Sequence, residues 1–244
     1  MLKIVVVDNE PLALEILDGY LKRIDHIHSV SLFTNTREAL RFLENHEADI
    51  LLLDIEMPEM TGIEFLKELP DPPLTIFTTA YRDYAFEGYE MGVIDFLLKP
   101  ISFNRFKQAI EKITEFLTLK AQNINIEDNP AFEETGFIFV KSGVQRIKLH
   151  FNDVTHIQGL KDYAIIYTYT GKIILKGSIK AMLDIFPQNH FIRVHKSFIV
   201  SIQKITRLER NRIILDGHPI PIGRSFKDNL EKALVQQIRE GKRH

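Results

Sequence analysis

Five short apolar runs constrain this chain more than any other feature. They are "KIVVVD" (3–8), "HSVSLF" (28–33), "DILLLD" (49–54), "LTIFTT" (74–79) and "DFLLK" (95–99). Segments of helical period separate them: "PLALEILDGYLKRI" (11–24), "TREALRFLENH" (36–46), "GIEFLKEL" (62–69) and "DYAFEGYEMG" (83–92). A longer one, "SFNRFKQAIEKITEFLTL" (102–119), closes the series. A strand that is apolar at nearly every position is covered on both faces, as in a parallel sheet between helix layers. The pattern therefore predicts a doubly wound α/β domain with right-handed crossovers.

The ends of these runs carry the chemistry. Asp8, with Asn9 beside it, closes the first and Asp54 the third; Thr79 closes the fourth and Lys99 the fifth. In open parallel sheets, ligands bind outside the carboxyl ends of the strands. Oxygen ligands gathered there suit Mg²⁺, which takes few carboxylates and keeps several waters. A hydroxyl and an ammonium beside them can bind phosphoryl oxygens, and a carboxylate can become an aspartyl-phosphate. Asp54 is the natural nucleophile.

The second half reads differently. Runs rich in β-formers, such as "FIFVKSG" (137–143) and "YAIIYTYTGKIILKG" (163–177), alternate with turns, and Thr170–Gly171 marks a hairpin. Helical patterns are confined to "SIKAMLDIF" (178–186) and "SFKDNLEKALVQQIRE" (225–240). A mainly antiparallel β domain is expected over 136–244, after a polar linker at 120–135 broken by Pro130. Charge divides along the same line. Residues 1–119 hold 11 Lys and Arg against 21 Asp and Glu, a balance of −10, whereas 136–244 hold 19 against 8, a balance of +11. The basic half is the candidate for a polyanion.

Other classes recede. The chain has no cysteine, which excludes disulfides and thiolate zinc sites. No apolar run approaches the ~20 residues of a membrane span, and an acid arrives at Asp8, too soon for a signal peptide. A cytoplasmic protein with no membrane partner is the expectation.

The motifs "VVVDNEP", "LLLDIEMPEMTG", "TTAY" and "DFLLKP", in that order, resemble the receiver domain of two-component response regulators over residues 1–119. The resemblance implies five parallel strands in the order 2-1-3-4-5. It makes Asp54 the phosphoacceptor, Lys99 the phosphate-pairing lysine, and Thr79 and Phe96 the switch residues. Asp8, Asn9, Asp54 and the carbonyl of Glu56 would ligate Mg²⁺, and the Lys99–Pro100 bond would be cis. It further implies a sensor histidine kinase as donor, and a homodimer formed on phosphorylation. One position departs from the family, which has a second acid where this chain has Asn9. The lost charge implies weaker Mg²⁺ binding.

The stretches "FIRVHKSFIVSIQKI" (191–205) and "RIILDGHPIPIGRSFKDNL" (212–230) resemble the LytTR-type (LytR/AlgR) DNA-binding domain. That resemblance implies loops entering successive major grooves of double-stranded DNA. The contacts would come from Lys161 and Asp162, from the segment Ser201 to Lys204, and from Arg224. The fork of Arg224 matches guanine O6 and N7. His195 reads as a structural histidine, and Tyr163, Tyr167 and Tyr169 as packing residues. The whole then reads as a phosphorylation-controlled transcriptional regulator, not an enzyme. Three alternatives remain. One is a phosphohydrolase-like α/β enzyme, although the haloacid-dehalogenase pattern needs an Asp where Glu56 stands and no Walker or GxGxxG loop occurs. The others are a regulator independent of phosphorylation and one that binds protein or RNA.

Overall fold

The computed structural model describes residues 2–81, 91–121, 124–126, 136–142, 145–215 and 218–241. The chain divides into two compact units, Met1–Glu115 and Phe116–His244.

In the first unit, β1 (Leu2–Val7), β2 (Ile27–Phe33), β3 (Ile50–Asp54), β4 (Leu74–Thr79) and β5 (Asp95–Leu98) form one parallel sheet in the order β2-β1-β3-β4-β5. The central strand is the most apolar, and Ile50, Leu51, Leu52 and Leu53 are each 0% exposed. That is the burial expected of a strand covered on both faces. The edge strand β2 alternates with polar residues and is largely accessible.

Each described helix starts where the sequence offers a start signal. Helix α1 (Pro11–Leu21) has Pro at its first position, where the missing N–H costs nothing. Asn35 Oδ1 accepts from the amides of Arg37 (2.9 Å) and Glu38 (3.1 Å) and caps α2 (Thr36–Asn45). Thr61 and Glu64 form a reciprocal capping box on α3 (Gly62–Glu68). Helix α4 (Phe103–Lys120) buries Phe106, Ala109, Ile110 and Ile113 at helical spacing. Arg105 fixes this helix to β5 by a fork on Asp95 (2.6 and 3.0 Å) and a bond to the carbonyl of Phe96 (2.9 Å). The helix expected over 83–92 falls mostly outside the described residues.

The second unit is mainly antiparallel. Strands β6 (Ile124–Ile126), β7 (Phe137–Ser142) and β8 (Gln145–His150) make one sheet. Strands β9 (Val154–Leu160), β10 (Tyr163–Thr168), β11 (Gly171–Lys176), β12 (Phe191–His195) and β13 (Phe198–Ser201) make a second, in the order β11-β10-β9-β13-β12. Strands β14 (Arg207–Glu209), β15 (Arg212–Leu215) and β16 (His218–Pro221) make a third. Helix α5 (Ile179–Ile185) sits close on β9, because a Cβ on Gly159 would lie 2.7 Å from that of Ile179. Phe151, Phe186 and Phe191 meet edge-on in the core above it. Helix α6 (Lys227–Gly241) follows a single 3₁₀ turn, Arg224–Phe226.

The 120–135 segment is not wholly a linker. Its start completes α4, and Ile124–Ile126 pairs with Ser142–Val140 of β7. Alternation of Ile with Asn at 123–126 has the strand period, although over too few residues to be read with assurance from sequence. No helix among the described residues is long and apolar enough to cross a membrane.

Candidate functional site

The parallel sheet brings Asp8, Asp54, Thr79 and Lys99 to one edge. Asp8 follows β1, Asp54 ends β3 and Thr79 ends β4, while Lys99 follows β5. Strand β4 lies between β3 and β5, so only a long side chain could reach across it. Lys99 does so, placing Nζ 3.0 Å from Asp54 Oδ2 and 2.8 Å from Asp8 Oδ2. Glu10 Oε2 stands further out, at 3.9 Å. The Asp8 and Asp54 side chains are 0% and 5% exposed. Burial pushes the Asp54 carboxyl above the ordinary range, the Lys99 hydrogen bond opposes that, and the charge of Asp8 adds to it. Burial alone would lower Lys99, but its bonds to the two carboxylates outweigh this and raise it.

Backbone amides complete the pocket. The Glu10 amide donates to Asp8 Oδ1 (3.0 Å), and the Glu56 amide donates to Asp54 Oδ1 (3.4 Å). Thr79 is fully buried, and its Oγ1 accepts from the Tyr81 amide (3.1 Å). Phe96 is half-buried and packs against the apolar cluster around Phe77 and Val93. The Lys99–Pro100 bond is cis. Asn9 Oδ1 is buried and has no hydrogen-bond partner among the described residues. With the buried carboxylates of Asp8 and Asp54, this orphaned oxygen makes up a set of hard-oxygen donors of the kind that fits Mg²⁺. No group of three His, Cys, Asp or Glu is gathered for a metal among the described residues, so such a set needs Asn9 and a carbonyl.

Gly62 is the residue that lets the turn after Asp54 close. Its amide donates to the Ile55 carbonyl (2.9 Å), and a Cβ there would lie 2.2 Å from the carbonyl oxygen of Asp54. "MTG" was visible in the sequence, but only tertiary geometry shows that this glycine backs the acid itself.

The candidate DNA contacts are dispersed. Lys161 and Asp162 form the exposed two-residue turn between β9 and β10, with Lys161 at φ 51°. Arg224 is exposed at the start of the 3₁₀ turn before α6. Lys204 holds its ammonium 4.7 Å from the ring centroid of Tyr169, which is 56% exposed. Tyr169 is therefore not a core residue. Ser201 is 5% exposed at the end of β13, so its hydroxyl has little surface to offer a base edge. Its neighbour Gln203 is exposed.

Residues of the "RVHKS" stretch support a turn instead. Arg193 donates to the carbonyls of His195 (3.2 Å) and Lys196 (2.6 Å), which braces the β12–β13 connection. His195 is 4% exposed, and its Nδ1 accepts from the Ser197 amide (3.2 Å). A basic side chain in a basic domain looks like a phosphate contact until its burial is known.

Comparison with known proteins agrees with both halves. Residues 4–111 match the family described as the response regulator receiver domain, and residues 145–235 match the LytTr DNA-binding domain. The chain is a response-regulator receiver domain followed by a LytTR DNA-binding domain. Among its relatives, the sensory transduction protein LytT of Bacillus anthracis is 27% identical over 252 residues, covering 96% of this chain and 99% of that one. The transcriptional regulatory protein YpdB of Escherichia coli (strain K12) is 25% identical over 211 residues, covering 85% and 86%. The response regulatory domain of protein mrkE from Klebsiella pneumoniae, a solved structure, covers 48% of this chain and 98% of its own, at 26% identity and a TM-score of 0.45. The response regulator is thus a receiver joined to a DNA-binding domain, the architecture of a phosphorylation-controlled transcriptional regulator.

The close approach at Gly62 generates a prediction. In this response regulator, Gly62→Ala must displace either α3 or the backbone of Asp54, an overpacking cost of about 1–3 kcal/mol. A lower urea midpoint with an unchanged slope is expected in chemical denaturation; an unchanged midpoint contradicts the contact.

Proposed function

We propose that Asp54 accepts a phosphoryl group from a sensor histidine kinase and that the product controls how the basic domain engages DNA. The observation that carries this reading is the single ammonium of Lys99 shared by two buried carboxylates at neighbouring strand ends. Asp54 offers a carboxylate oxygen to the phosphorus, the bond from phosphorus to the donor breaks, and the donor leaves with its electron pair. Lys99 is placed to follow the negative charge from the carboxylate onto a phosphoryl oxygen. The Thr79 oxygen accepts from Tyr81, so its proton is left to be donated to that group. Asp8, Asn9, Asp54 and the Glu56 carbonyl would hold Mg²⁺, which when bound neutralises charge on the transferring oxygens. Phe96 is proposed to repack with Thr79, and two phosphorylated chains to pair. On this reading the protein acts in the cytoplasm, without catalytic turnover of its own.

In the basic domain, Lys161, Asp162, Lys204 and Arg224 are the proposed DNA contacts, with Ser201 demoted by its burial. Lysines supply salt-dependent phosphate attraction, and Arg224 supplies base readout.

Incubation with acetyl phosphate and Mg²⁺ is expected to add one phosphoryl group to the full chain, read by intact mass, and none to Asp54→Asn. Labelling that persists in Asp54→Asn refutes the assignment.

Restoring the missing charge with Asn9→Asp is expected to tighten Mg²⁺ binding, followed by NMR shift titration. Equal or weaker affinity in the variant means the cation is not held there.

For DNA, Arg224→Ala is expected to cost about 1–3 kcal/mol on a selected operator duplex and much less on a scrambled one. Binding isotherms over a salt series check this, because a residue touching only phosphate lowers both affinities alike and reduces the salt slope by about one. Equal losses on the two duplexes would make Arg224 a phosphate contact.

A further inference from the structure

Helix α4 begins in the receiver, and the division between the two compact units falls after Glu115, so its last turn belongs to the DNA-binding unit. In that turn Phe116 is 4% exposed and meets the ring of Tyr163 edge-on, with centroids 5.9 Å apart and planes at 89°. One turn later, Lys120 Nζ stands 4.8 Å from the centroid of the same ring. Edge-to-face and cation–π contacts both depend on ring position, so together they fix Tyr163 against the helix end.

Tyr163 opens β10, where it pairs with Leu160 of β9 and Lys176 of β11. Between Leu160 and Tyr163 stand only Lys161 and Asp162, two of the proposed DNA contacts. Lys161 has the left-handed φ of 51°, which a residue with a Cβ keeps only when its surroundings hold it. Asp162 O accepts from the Gly177 amide at 2.7 Å, which anchors the turn from the other side.

We propose that Tyr163 is the positioning residue of the Lys161–Asp162 turn and carries the state of α4 to it. This rests on the reading above, that phosphorylation acts on the receiver. A displacement of the last turn of α4 must either drag the Tyr163 ring or break its two contacts. Either event changes how Lys161 and Asp162 are presented, because no residue lies between them and the ring. By linkage, an occupied turn biases α4 in return.

The test is hydrogen–deuterium exchange on the full chain with and without acetyl phosphate and Mg²⁺, with intact mass measured in parallel. The Gly177 amide is the reporter, since its bond to Asp162 O depends on the shape of the turn. In the wild type its exchange rate is expected to change by at least about fivefold on phosphorylation, the lower end of ordinary allosteric couplings. Tyr163→Phe keeps the ring and should keep that response. Tyr163→Leu should take up the phosphoryl group to the same extent and show the same response in receiver amides, yet lose the response at Gly177. If Tyr163→Leu does not fold, Phe116→Leu removes the contact from the helix side with the same expected loss. A response at Gly177 that survives in the Leu variants overturns the proposal. So does a phosphorylated wild type whose receiver amides change while Gly177 does not. A wild type that gains no phosphoryl group fails the earlier reading and removes this inference with it.

Discussion

The Lys99 ammonium between Asp8 and Asp54 is the contact on which the receiver depends. Two carboxylates at 0% and 5% exposure repel each other and have lost most of their water. A cation within bonding distance of both offsets that repulsion, and its hydrogen bond opposes the burial that pushes the Asp54 carboxyl up. The cation must come from β5, two strands away from β3, and so the sheet order itself is a condition of the site. The Arg105 fork on Asp95 ties β5 to α4 and steadies the strand that delivers Lys99. Gly62 plays the matching part on the other side, admitting the turn that follows Asp54 to within contact of its carbonyl. A pair of buried acids held by one ammonium is also a charge arrangement that phosphorylation of Asp54, as proposed, would rearrange.

Much of this was legible in the sequence because the parallel sheet writes itself plainly. Strands covered on both faces appear as unbroken apolar runs, and a polar residue at the end of such a run marks the sheet edge where ligands collect. Asp8, Asp54, Thr79 and Lys99 could all be found that way. The antiparallel half was legible only as a class. Its strands share faces with helices and other sheets, so their alternation is blurred, and the short β6 fell inside a segment read as linker. Side-chain roles there were harder still. Arg193 and His195 sit among basic residues, but what they do depends on burial against the β12–β13 turn. Ser201 was expected among the DNA contacts and is covered by the fold. Tyr169 continues the tyrosine pattern of β10 in the sequence but lies in the turn just past the strand and is exposed, whereas Tyr167 donates its hydroxyl to Gln158 and stacks on His156.

The opposite charges of the two halves follow from what each is built to hold. The receiver carries the acidic excess, and its buried Asp8 and Asp54 form the site proposed to take Mg²⁺ and a phosphoryl group. The second domain carries an excess of Lys and Arg, which attracts a polyanion at any sequence, and discrimination is proposed to fall to exposed side chains such as Arg224. Such a division lets one chemical event on the acidic half alter an interaction made by the basic half. The continuous helix from Phe103 to Lys120 is the covalent route between them.

The central claim is that charge on Asp54 governs DNA affinity. Its most direct measurement is the dissociation constant of the full chain for one selected duplex at fixed salt, before and after loading with acetyl phosphate, with occupancy of Asp54 verified by mass. The account predicts tighter binding in the loaded state, by roughly five- to 150-fold as for other coupled sites. Equal affinity in the two states, with Asp54 demonstrably phosphorylated, would contradict it.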